Sequence, residues 1–472
     1  MSWLLNLAYL SIGILAAPWL LYRRIVLKKR LGDWRQKILG ELPRRSSEQP
    51  CIWLHAVSVG EVVQLGPVLD QLSTQRPDHD LWITTTTVTG QEVAKKLYPQ
   101  HTVCYFPFDF SWSVARALDR VQPAAIVLVE LELWPNFIAA AKHRQIPVVL
   151  INGRVSDRSY RSYRWIRPLL QRILPQLQQI AVQNQTYANR LIDLGARPHQ
   201  VTVTGSIKFD RVETHRRNAR TLEIGDSFGL QPDETLLIAG STQAPEEELA
   251  LAVYRDLHQE FPKLRLMLVP RHKERFEEVA GMVERQGWPL LRRSQTSLLE
   301  KSKCITAGSA NRPHSGECSY FGSGAADNIA DIPADRPILM LDTLGELSAC
   351  WGLAEIAFVG GSLSRRGGQN MIEPAGYGAA VLFGPHTHNF KDVVALLLDA
   401  KAARVIFQPE DFTSAIRDLL VHPQQAAEMG HRAQQLVTAQ RGATRHTVDL
   451  IVGAVTGRDA SSTINATRLY RL

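Results

Sequence analysis

Cysteine is scarce in this chain, with five residues among 472, and their placement suits neither a metal site nor a disulfide framework. The number is odd, the spacings are wide, and no Cys-x-x-Cys pair or Cys/His ladder occurs. These absences leave a zinc site and a disulfide scaffold without support and favour a reducing compartment. The five positions are Cys51, Cys104, Cys304, Cys318 and Cys350.

The chain also lacks a concentrated basic tract, although it carries a net charge of +8. Small clusters of Arg and Lys occur at 23–30, 161–167 and 213–220, and the aromatic signatures of RNA-binding domains are absent. The positive balance indicates an anionic partner, while the missing signatures argue against nucleic acid. A phospholipid or a phosphorylated substrate is the partner that this composition favours.

Charge is missing altogether from residues 3–22, WLLNLAYLSIGILAAPWLLY, a stretch long enough to cross a bilayer as a helix. Basic residues follow it at 23–24 and 28–30, so the positive-inside rule places the bulk of the chain in the cytoplasm. A cleaved signal peptide fits poorly, because its basic residues would precede the apolar run. We therefore predict a single-pass membrane anchor at 1–30. A helix that lies in the membrane interface or packs on the protein is the alternative.

From residue 51 onward, short apolar runs alternate with segments of helical spacing, in two series that a polar, charged stretch at 211–226 separates. Strands that alternate with helices predict a mostly parallel sheet with right-handed crossovers. The predicted fold class is therefore α/β, with two doubly wound, Rossmann-like domains that face a cleft. The predicted strands are 51–55, 81–85, 103–107, 125–129, 147–151, 180–183, 201–204, 236–239, 266–269, 288–291, 338–341, 356–359, 380–383 and 404–407.

The length fits two domains of ordinary size, which we place at 31–225 and 226–456. The stretch 308–336 is rich in Gly, Ser, Ala, Asp and Pro, and it is predicted to be a loose insert in the second domain. A C-terminal helix is expected from about 411 to 440, and the tail at 457–472 is expected to be loose as well.

The most informative stretch is 357–376, AFVGGSLSRRGGQNMIEPAG. An apolar strand runs into Gly360-Gly361-Ser362, and a second glycine pair precedes a predicted helix. Glycines at such a turn allow backbone N–H groups to approach an anion, and a helix N-terminus adds partial positive charge. Asn370 and Glu373 share one helix face, where a carboxylate can bind ribose hydroxyls. The pattern indicates a nucleotide-sugar donor site; glycines that serve packing alone are the alternative.

Carboxylates follow two strands of the first series. Glu61 begins a helix after the segment HAVSVGE, where it can take a proton from an attacking hydroxyl or merely complement the helix dipole. Glu130 and Glu132 follow strand 125–129, and one of them is expected to face the cleft unless both are solvated.

The second series offers groups that suit a phosphate. Ser241 and Thr242 are predicted as hydroxyl donors at a helix N-terminus, with plain helix capping as the alternative. Arg271 at a strand end can hold a phosphate or stack on a base, unless it forms a surface ion pair. In the first series, the basic amphipathic stretch 158–177 is expected to face anionic lipid, unless it is an ordinary surface helix.

Taken in order, eleven segments of the chain resemble those of the 3-deoxy-D-manno-octulosonic acid (Kdo) transferases of lipopolysaccharide assembly. The resemblance covers about residues 1–445. The segments are HAVSVGE, TTTTVTG, ELELWPN, INGRVSDRS, GSIKFD, GSTQAPEEE, PRHKER, LDTLGEL, FVGGSL, GGQNMIEPA and FGPHTHNF.

The resemblance implies a GT-B glycosyltransferase at the cytoplasmic face of the inner membrane. It would move Kdo from CMP-Kdo to a lipid A precursor with inversion, and it would need no catalytic metal or other cofactor. Glu61 matches the general base of the family, and Glu132 matches an acidic residue of the acceptor side. The positions that fall in the CMP-holding segments are Ser241, Thr242, Arg271, Gly345, Asn370 and Glu373.

Two positions depart from the family pattern, since Gln243 and Gln369 stand where many relatives carry His. Gln donates a hydrogen bond but cannot become cationic, so these positions cannot carry a protonation role. Two other functions stay open. A GT-B enzyme that uses a UDP-sugar to build a membrane glycolipid would share the fold and the anchor. A non-catalytic binding protein of this fold would tolerate the loss of Glu61.

Overall fold

The computed structural model describes residues 2–25, 32–296 and 336–457. The predicted insert at 308–336 lies outside the described residues except for Arg336, and the predicted tail lies outside them beyond Gly457. The chain forms two compact domains, each built around its own parallel sheet. The first domain comprises Met1–Arg211 with Gln440–Leu472, and the second comprises Val212–Ala439.

Seven parallel strands form the sheet of the first domain. They are β1 (Cys51–His55), β2 (Asp80–Thr85), β3 (Thr102–Tyr105), β4 (Ala125–Val129), β5 (Val148–Gly153), β6 (Gln179–Val182) and β7 (Val201–Val203). Their order is β3-β2-β1-β4-β5-β6-β7, so the strand order reverses between β1 and β4. Both of these strands are buried along their whole length, as expected for strands with helices on both faces of the sheet.

The sheet of the second domain repeats this plan with seven parallel strands. They are β8 (Thr235–Thr242), β9 (Leu264–Pro270), β10 (Leu290–Arg292), β11 (Ile338–Met340), β12 (Ile356–Val359), β13 (Ala380–Phe383) and β14 (Ala403–Val405). Their order is β10-β11-β9-β8-β12-β13-β14, and the direction of travel reverses between β8 and β12. Ligands of doubly wound sheets bind beyond the carboxyl ends of strands at such reversal points.

Helices connect the strands of both domains. Those of the first domain are α1 (Ser2–Ile25), α2 (Trp34–Leu39), α3 (Val59–Gln64), α4 (Gly66–Gln75), α5 (Val88–Leu97), α6 (Ser111–Val121), α7 (Pro135–His143), α8 (Asp157–Trp165), α9 (Arg167–Ile173), α10 (Gln185–Asp193) and, near the end of the chain, α19 (Ala443–Thr456). Those of the second domain are α11 (Ala219–Ser227), α12 (Glu246–Leu257), α13 (Phe276–Arg285), α14 (Leu347–Cys350), α15 (Ile372–Gly376), α16 (Lys391–Asp399), α17 (Asp411–Val421) and α18 (Pro423–Ala439).

The predicted α/β class with two doubly wound parallel sheets is confirmed, and each predicted strand overlaps an observed one. The predicted single C-terminal helix at 411–440 is wrong, because two helices, α17 and α18, occupy this stretch. Pro423 begins the second of them. Proline has no N–H to continue a helix and its ring clashes with the preceding turn, which explains the break at this residue.

The compact domains divide the chain at other places than the predicted boundaries, which were 225/226 and 456/457. The second domain ends at Ala439, and α19 packs against the sheet of the first domain. Val448 and Ile451 of this helix lie in one buried cluster with Val149 and Ile151 of β5. The helix is therefore part of the hydrophobic core of the first domain, a long-range contact that local sequence patterns do not encode.

Polar contacts fix α1 to the rest of the first domain. Asn6 Nδ2 donates to the Ser111 hydroxyl at 2.7 Å, and the Tyr9 hydroxyl donates to Asp109 Oδ2 at 3.0 Å. Asp109 is buried, and it also accepts a hydrogen bond at 3.0 Å from the backbone N–H of Asn136 at the start of α7. The polar side of α1 is thus joined to the segments that follow β3 and β4.

The predicted single-pass anchor at 1–30 gains no support from the structure. Across the described ranges, no helix combines the length and the apolar character needed to cross a membrane. α1 nevertheless exposes a row of large apolar side chains, which are Trp3, Leu4, Leu7, Leu10, Ile12, Ile14, Leu15 and Trp19.

Candidate functional site

The predicted acidic residues of the first domain gather at the reversal point of its sheet. Glu61 lies in α3, directly after β1, and Glu130 and Glu132 follow β4, the strand that pairs with β1. Glu130 adopts a left-handed backbone conformation with φ of 60°, so the chain turns sharply where the strand ends. This turn separates the two carboxylates, which would share one face if the strand continued.

Glu61 is buried and both of its carboxylate oxygens accept hydrogen bonds. Oε2 accepts from the backbone N–H of Val57 at 2.8 Å, and Oε1 accepts from the hydroxyl of Ser58 at 2.7 Å. Ser58 is the N-cap of α3 and in turn accepts from the backbone N–H of Glu61. This reciprocal arrangement resembles a capping box, and it holds the carboxylate in one orientation at the edge of the sheet. Each oxygen keeps a second lone pair that can accept a proton.

Burial and mutual repulsion raise the pKa of two of these carboxyls. The pKa of Glu132 rises to about 7, because the side chain is desolvated and the charges of Glu61 and Glu130 oppose its ionisation. The pKa of Glu61 is raised as well, first by burial and then by Glu130, although its hydrogen bonds to Ser58 and Val57 oppose the shift. Carboxyls with raised pKa values at a strand edge are suited to exchange protons with a substrate near neutral pH.

We predict that Glu130→Gln shifts the acid limb of the pH–activity profile to lower pH. The charge of Glu130 raises the pKa of both Glu61 and Glu132, so its removal lowers both pKa values and leaves the carboxylates ionised in more acidic solution. The measurement is kcat/KM as a function of pH, with the exposed Glu92→Gln as the control of equal charge change. If the acid limb of the pH–activity profile does not move in Glu130→Gln, these carboxyls do not control the reaction.

The basic stretch predicted at 158–177 forms two short helices, α8 and α9, beside this acidic group. α8 buries none of its residues, and Trp165 at its end is 89% exposed. Its half-buried Tyr163 packs on the core of the first domain, and its pKa is raised by burial and then by the charge of Glu132. One side of α8 therefore adjoins Glu132, while the other presents Arg158, Arg161 and Arg164 to solvent.

Ser241 and Thr242 are the last two residues of β8 and do not begin a helix, which corrects the predicted helix N-terminus at this position. The next helix, α12, begins only at Glu246, and no side chain caps it, so the capping alternative does not apply either. Thr242 is fully buried and its hydroxyl donates to the carbonyl oxygen of Val269 in β9 at 3.3 Å. Ser241 has a left-handed backbone with φ of 54° where the strand ends.

The first glycine turn, Gly360-Gly361-Ser362, already holds an anion that belongs to the protein. The carboxylate of Glu246 accepts hydrogen bonds from the backbone N–H groups of Gly361 at 2.7 Å, Ser362 at 2.9 Å and Leu363 at 3.0 Å. Glu246 was not among the predicted site residues. Its position three residues after Gln243, at the start of a helix, was the available signal, since such a carboxylate commonly bonds backward to N–H groups.

The remaining residues that were predicted to bind the donor lie at the same carboxyl edge of the second sheet. Asn370 Nδ2 donates to Glu373 Oε1 at 3.0 Å, so the two predicted ribose contacts are held together. Gly345 follows β11 with φ of 89°, and a β-carbon at this position would meet no other residue within 4 Å. Arg271 follows β9 with an exposed side chain that makes no ion pair with any described residue, so the ion-pair alternative finds no partner. The exposed Arg365, which was not among the predicted site residues, adds positive charge between the glycine pairs.

Gln243 and Gln369, the two departures from the family pattern, meet at the first glycine turn. A β-carbon at Gly361 would lie 3.4 Å from Gln243 Nε2 and 3.2 Å from Gln369 Nε2. Both amides thus border this turn, at the reversal point of the second sheet, as neutral hydrogen-bonding groups. In the part of the chain that the structure describes, no group of three or more His, Cys, Asp or Glu could hold a metal ion.

A family model and two similar proteins all point to one family. A family model described as 3-deoxy-D-manno-octulosonic-acid transferase (kdotransferase) matches residues 27–211. A 3-deoxy-D-manno-octulosonic acid transferase of Haemophilus influenzae is 30% identical over 449 residues, which cover 94% of this chain and 97% of that protein. A protein of the same name from Bordetella pertussis is 29% identical and covers 93% of this chain and 96% of its own length.

Among solved structures, a UDP-GlcNAc 2-epimerase from Neisseria meningitidis bound to UDP-GlcNAc is similar with a TM-score of 0.51. It is 12% identical and covers 86% of this chain and all (100%) of its own. At this identity the likeness concerns the fold alone, a GT-B-like pair of parallel-sheet α/β domains.

Proposed function

We infer the function of this chain from its family, because the chain belongs to the 3-deoxy-D-manno-octulosonic acid transferases, which are glycosyltransferases of lipopolysaccharide biosynthesis. We propose that it moves Kdo from CMP-Kdo to a phosphorylated lipid A precursor and inverts the anomeric centre. The observation that carries this proposal beyond the family is the buried carboxylate group of the first domain, in which Glu61 has a raised pKa.

In the proposed reaction, a hydroxyl oxygen of the acceptor attacks the anomeric carbon of Kdo while the bond from that carbon to the CMP oxygen breaks. Glu61 takes the proton of the attacking hydroxyl, and CMP leaves with the electron pair of the broken bond. A carboxylate with a raised pKa is a stronger base than an ordinary glutamate. The hydrogen bonds from the Ser58 hydroxyl and the Val57 N–H hold the Glu61 carboxylate in one orientation. Glu132, with a pKa of about 7, is proposed to form a hydrogen bond with the acceptor.

The second domain is proposed to bind the donor at the carboxyl edge of its sheet. The guanidinium of Arg271 forms no hydrogen bond or ion pair with a described residue, so it can hold the phosphate of CMP and the charge that develops when CMP leaves. Glu373, together with Asn370, is proposed to bind the ribose hydroxyls. A monophosphate leaving group stabilised by guanidinium charge needs no divalent ion, and we propose that catalysis requires none.

The acceptor is proposed to reach Glu132 across a membrane surface. α1 exposes a row of apolar side chains, and α8 exposes three arginines beside a fully solvated tryptophan. Helices of these two kinds bind at the interface of anionic bilayers, the first by burying apolar area and the second by attracting phosphate groups. α1 and α8 belong to the same domain as Glu61 and Glu132. We therefore propose that this first domain lies on the cytoplasmic face of the inner membrane.

We expect that replacing Arg158, Arg161 and Arg164 together with Gln weakens binding to anionic vesicles by up to about 150-fold, since each basic residue near such a surface contributes roughly 1 kcal/mol. The salt dependence of binding should flatten as well. Co-sedimentation with vesicles that contain an anionic phospholipid measures both effects. Equal replacement of Arg255, Arg285 and Arg417, exposed arginines of the second domain, is the control. Equal loss in the two triple variants would contradict a specific role of α8.

The decisive experiment is to measure CMP release from CMP-Kdo by the purified protein, with and without a tetraacylated lipid A precursor. Release that depends on the lipid, with a product heavier by whole Kdo units, would establish the activity. Inhibition by CMP but not by UDP would exclude the UDP-sugar alternative. If the protein releases no CMP with this pair, the donor or the acceptor is a different compound.

A further inference from the structure

The carboxylate of Glu246 ties together two loops of the second domain. Besides three N–H groups of the turn after β12, it accepts a fourth hydrogen bond at 2.9 Å from the backbone N–H of Gln243, in the loop after β8. The side chain is fully buried. Each carboxylate oxygen therefore accepts two N–H groups: Oε1 those of Ser362 and Leu363, and Oε2 those of Gln243 and Gly361.

The two loops approach each other more closely than side chains would permit. A β-carbon at Gly360 would lie 2.5 Å from the α-carbon of Thr242 and 2.8 Å from Glu246 Oε2. Backbone at this distance requires glycine, so Gly360 serves the contact between the loops. Gly361 connects this turn to the segment that precedes Asn370. Its carbonyl oxygen accepts a hydrogen bond at 2.7 Å from the N–H of Gly368, two residues before Asn370.

We propose that Glu246 is a positioning residue of the donor site, an inference that rests on the proposed function and specifies how its second domain works. The carboxylate takes the place in the first glycine turn that a donor phosphate would otherwise fill. The N–H groups of this turn thus hold the protein's own anion, and the donor phosphate binds elsewhere at the same edge of the sheet. By accepting hydrogen bonds from both loops, Glu246 fixes the loop that bears Ser241 against the loop that leads to Asn370 and Glu373.

Replacement of Glu246 with Gln tests this role at nearly constant size. A carboxamide keeps one acceptor oxygen, whereas its NH₂ group cannot accept. Two of the four backbone N–H groups would face hydrogens and the loops would separate. We expect at least a tenfold increase in the Kd of CMP by calorimetry and a similar increase in the KM for CMP-Kdo. The kcat at saturating donor should stay within about threefold, because Glu246 touches no reacting atom.

Glu247→Gln is the matched control. Glu247 is the next residue of the same helix and equally buried. Its Oε1 accepts from Arg275 Nη1 at 2.6 Å, and its carboxylate forms no hydrogen bond with the glycine turn. This variant loses a buried ion pair and should keep the affinity for CMP. If both variants lose the same affinity, or if Glu246→Gln binds CMP as tightly as the wild type, the proposal is wrong. A wild type that does not bind CMP would instead refute the proposed function itself.

Hydrogen exchange on the wild-type protein tests the same inference without a variant. The amide hydrogens of Gly361, Ser362 and Leu363 should be protected in the absence of ligand, and CMP should add no further protection to them. Strong new protection of these three amides on addition of CMP would mean that the turn binds the donor phosphate. That result would overturn the proposal even if Glu246→Gln failed to fold.

Discussion

Replacing Glu61 with Gln is expected to lower kcat for Kdo transfer by about 10²–10⁴-fold, the usual contribution of a general base. The amide cannot take the proton of the attacking hydroxyl, so the nucleophile must attack without assistance. The affinity for CMP should be unchanged, because the proposed donor contacts lie in the other domain. The measurement is the rate of single-turnover transfer together with the Kd of CMP.

The structure also supplies the control that separates chemistry from stability. Glu61 and Ser58 form the cap of α3, so a change at either residue is expected to cost about 0.5–2 kcal/mol of stability. Ser58→Ala removes the cap and keeps the carboxylate, so we expect it to lower the free energy of unfolding. The Val57 N–H still holds the carboxylate, so kcat should fall far less than in Glu61→Gln. Gln at position 61 can still bond the Ser58 hydroxyl, so it should unfold less readily than Ser58→Ala. Near-normal turnover by Glu61→Gln would refute the general-base role.

Glu373→Ala is expected to weaken CMP binding by roughly 1–3 kcal/mol, the range for loss of a hydrogen bond to a charged group. This corresponds to an increase in Kd of about 5- to 150-fold, visible by calorimetry. The variant also releases the Asn370 amide, which Glu373 now holds at 3.0 Å, so both proposed ribose contacts are affected.

Deoxy-CMP provides an internal check on this assignment. If Glu373 bonds a ribose hydroxyl that the deoxynucleotide lacks, the wild type should bind deoxy-CMP more weakly than CMP, and Glu373→Ala should discriminate less between them. Glu284→Ala, an exposed helical glutamate of the same domain, is the control. An unchanged affinity for CMP in Glu373→Ala would count against the ribose role.

Strands were the most predictable part of this fold. The predicted bounds 51–55, 125–129, 356–359 and 380–383 coincide with observed strands, because these central strands are covered on both faces and read as continuous apolar runs. The helix at 443–456 was not predicted as part of the first domain. Its apolar face finds its partner some 300 residues earlier in the chain, in β5, and such a contact has no local signal.

The site was predictable as a set of segments but less so as a set of contacts. The sequence placed Glu132 and Arg271 at strand ends, and Glu61 and Glu373 in the helices that follow strands. The structure brings Glu61 and Glu132 to the first sheet, and Arg271 and Glu373 to the second. The glycine turn at 360–362 has the composition of an anion site, and it is one. The sequence could not show that the anion is Glu246, because a glycine-rich turn with free N–H groups can bind either a buried carboxylate or a phosphate.

The return of α19 to the first sheet makes the first domain discontinuous and the second an insertion within it. The stretch 212–439 is contiguous and should fold when expressed alone, whereas 1–211 lacks Val448, Ile451 and Ala454 of its own core. During synthesis, the second domain can therefore be complete before the domain that bears Glu61. We expect a stop codon at 440 to spare CMP binding and yet abolish transfer, although every proposed site residue is still present.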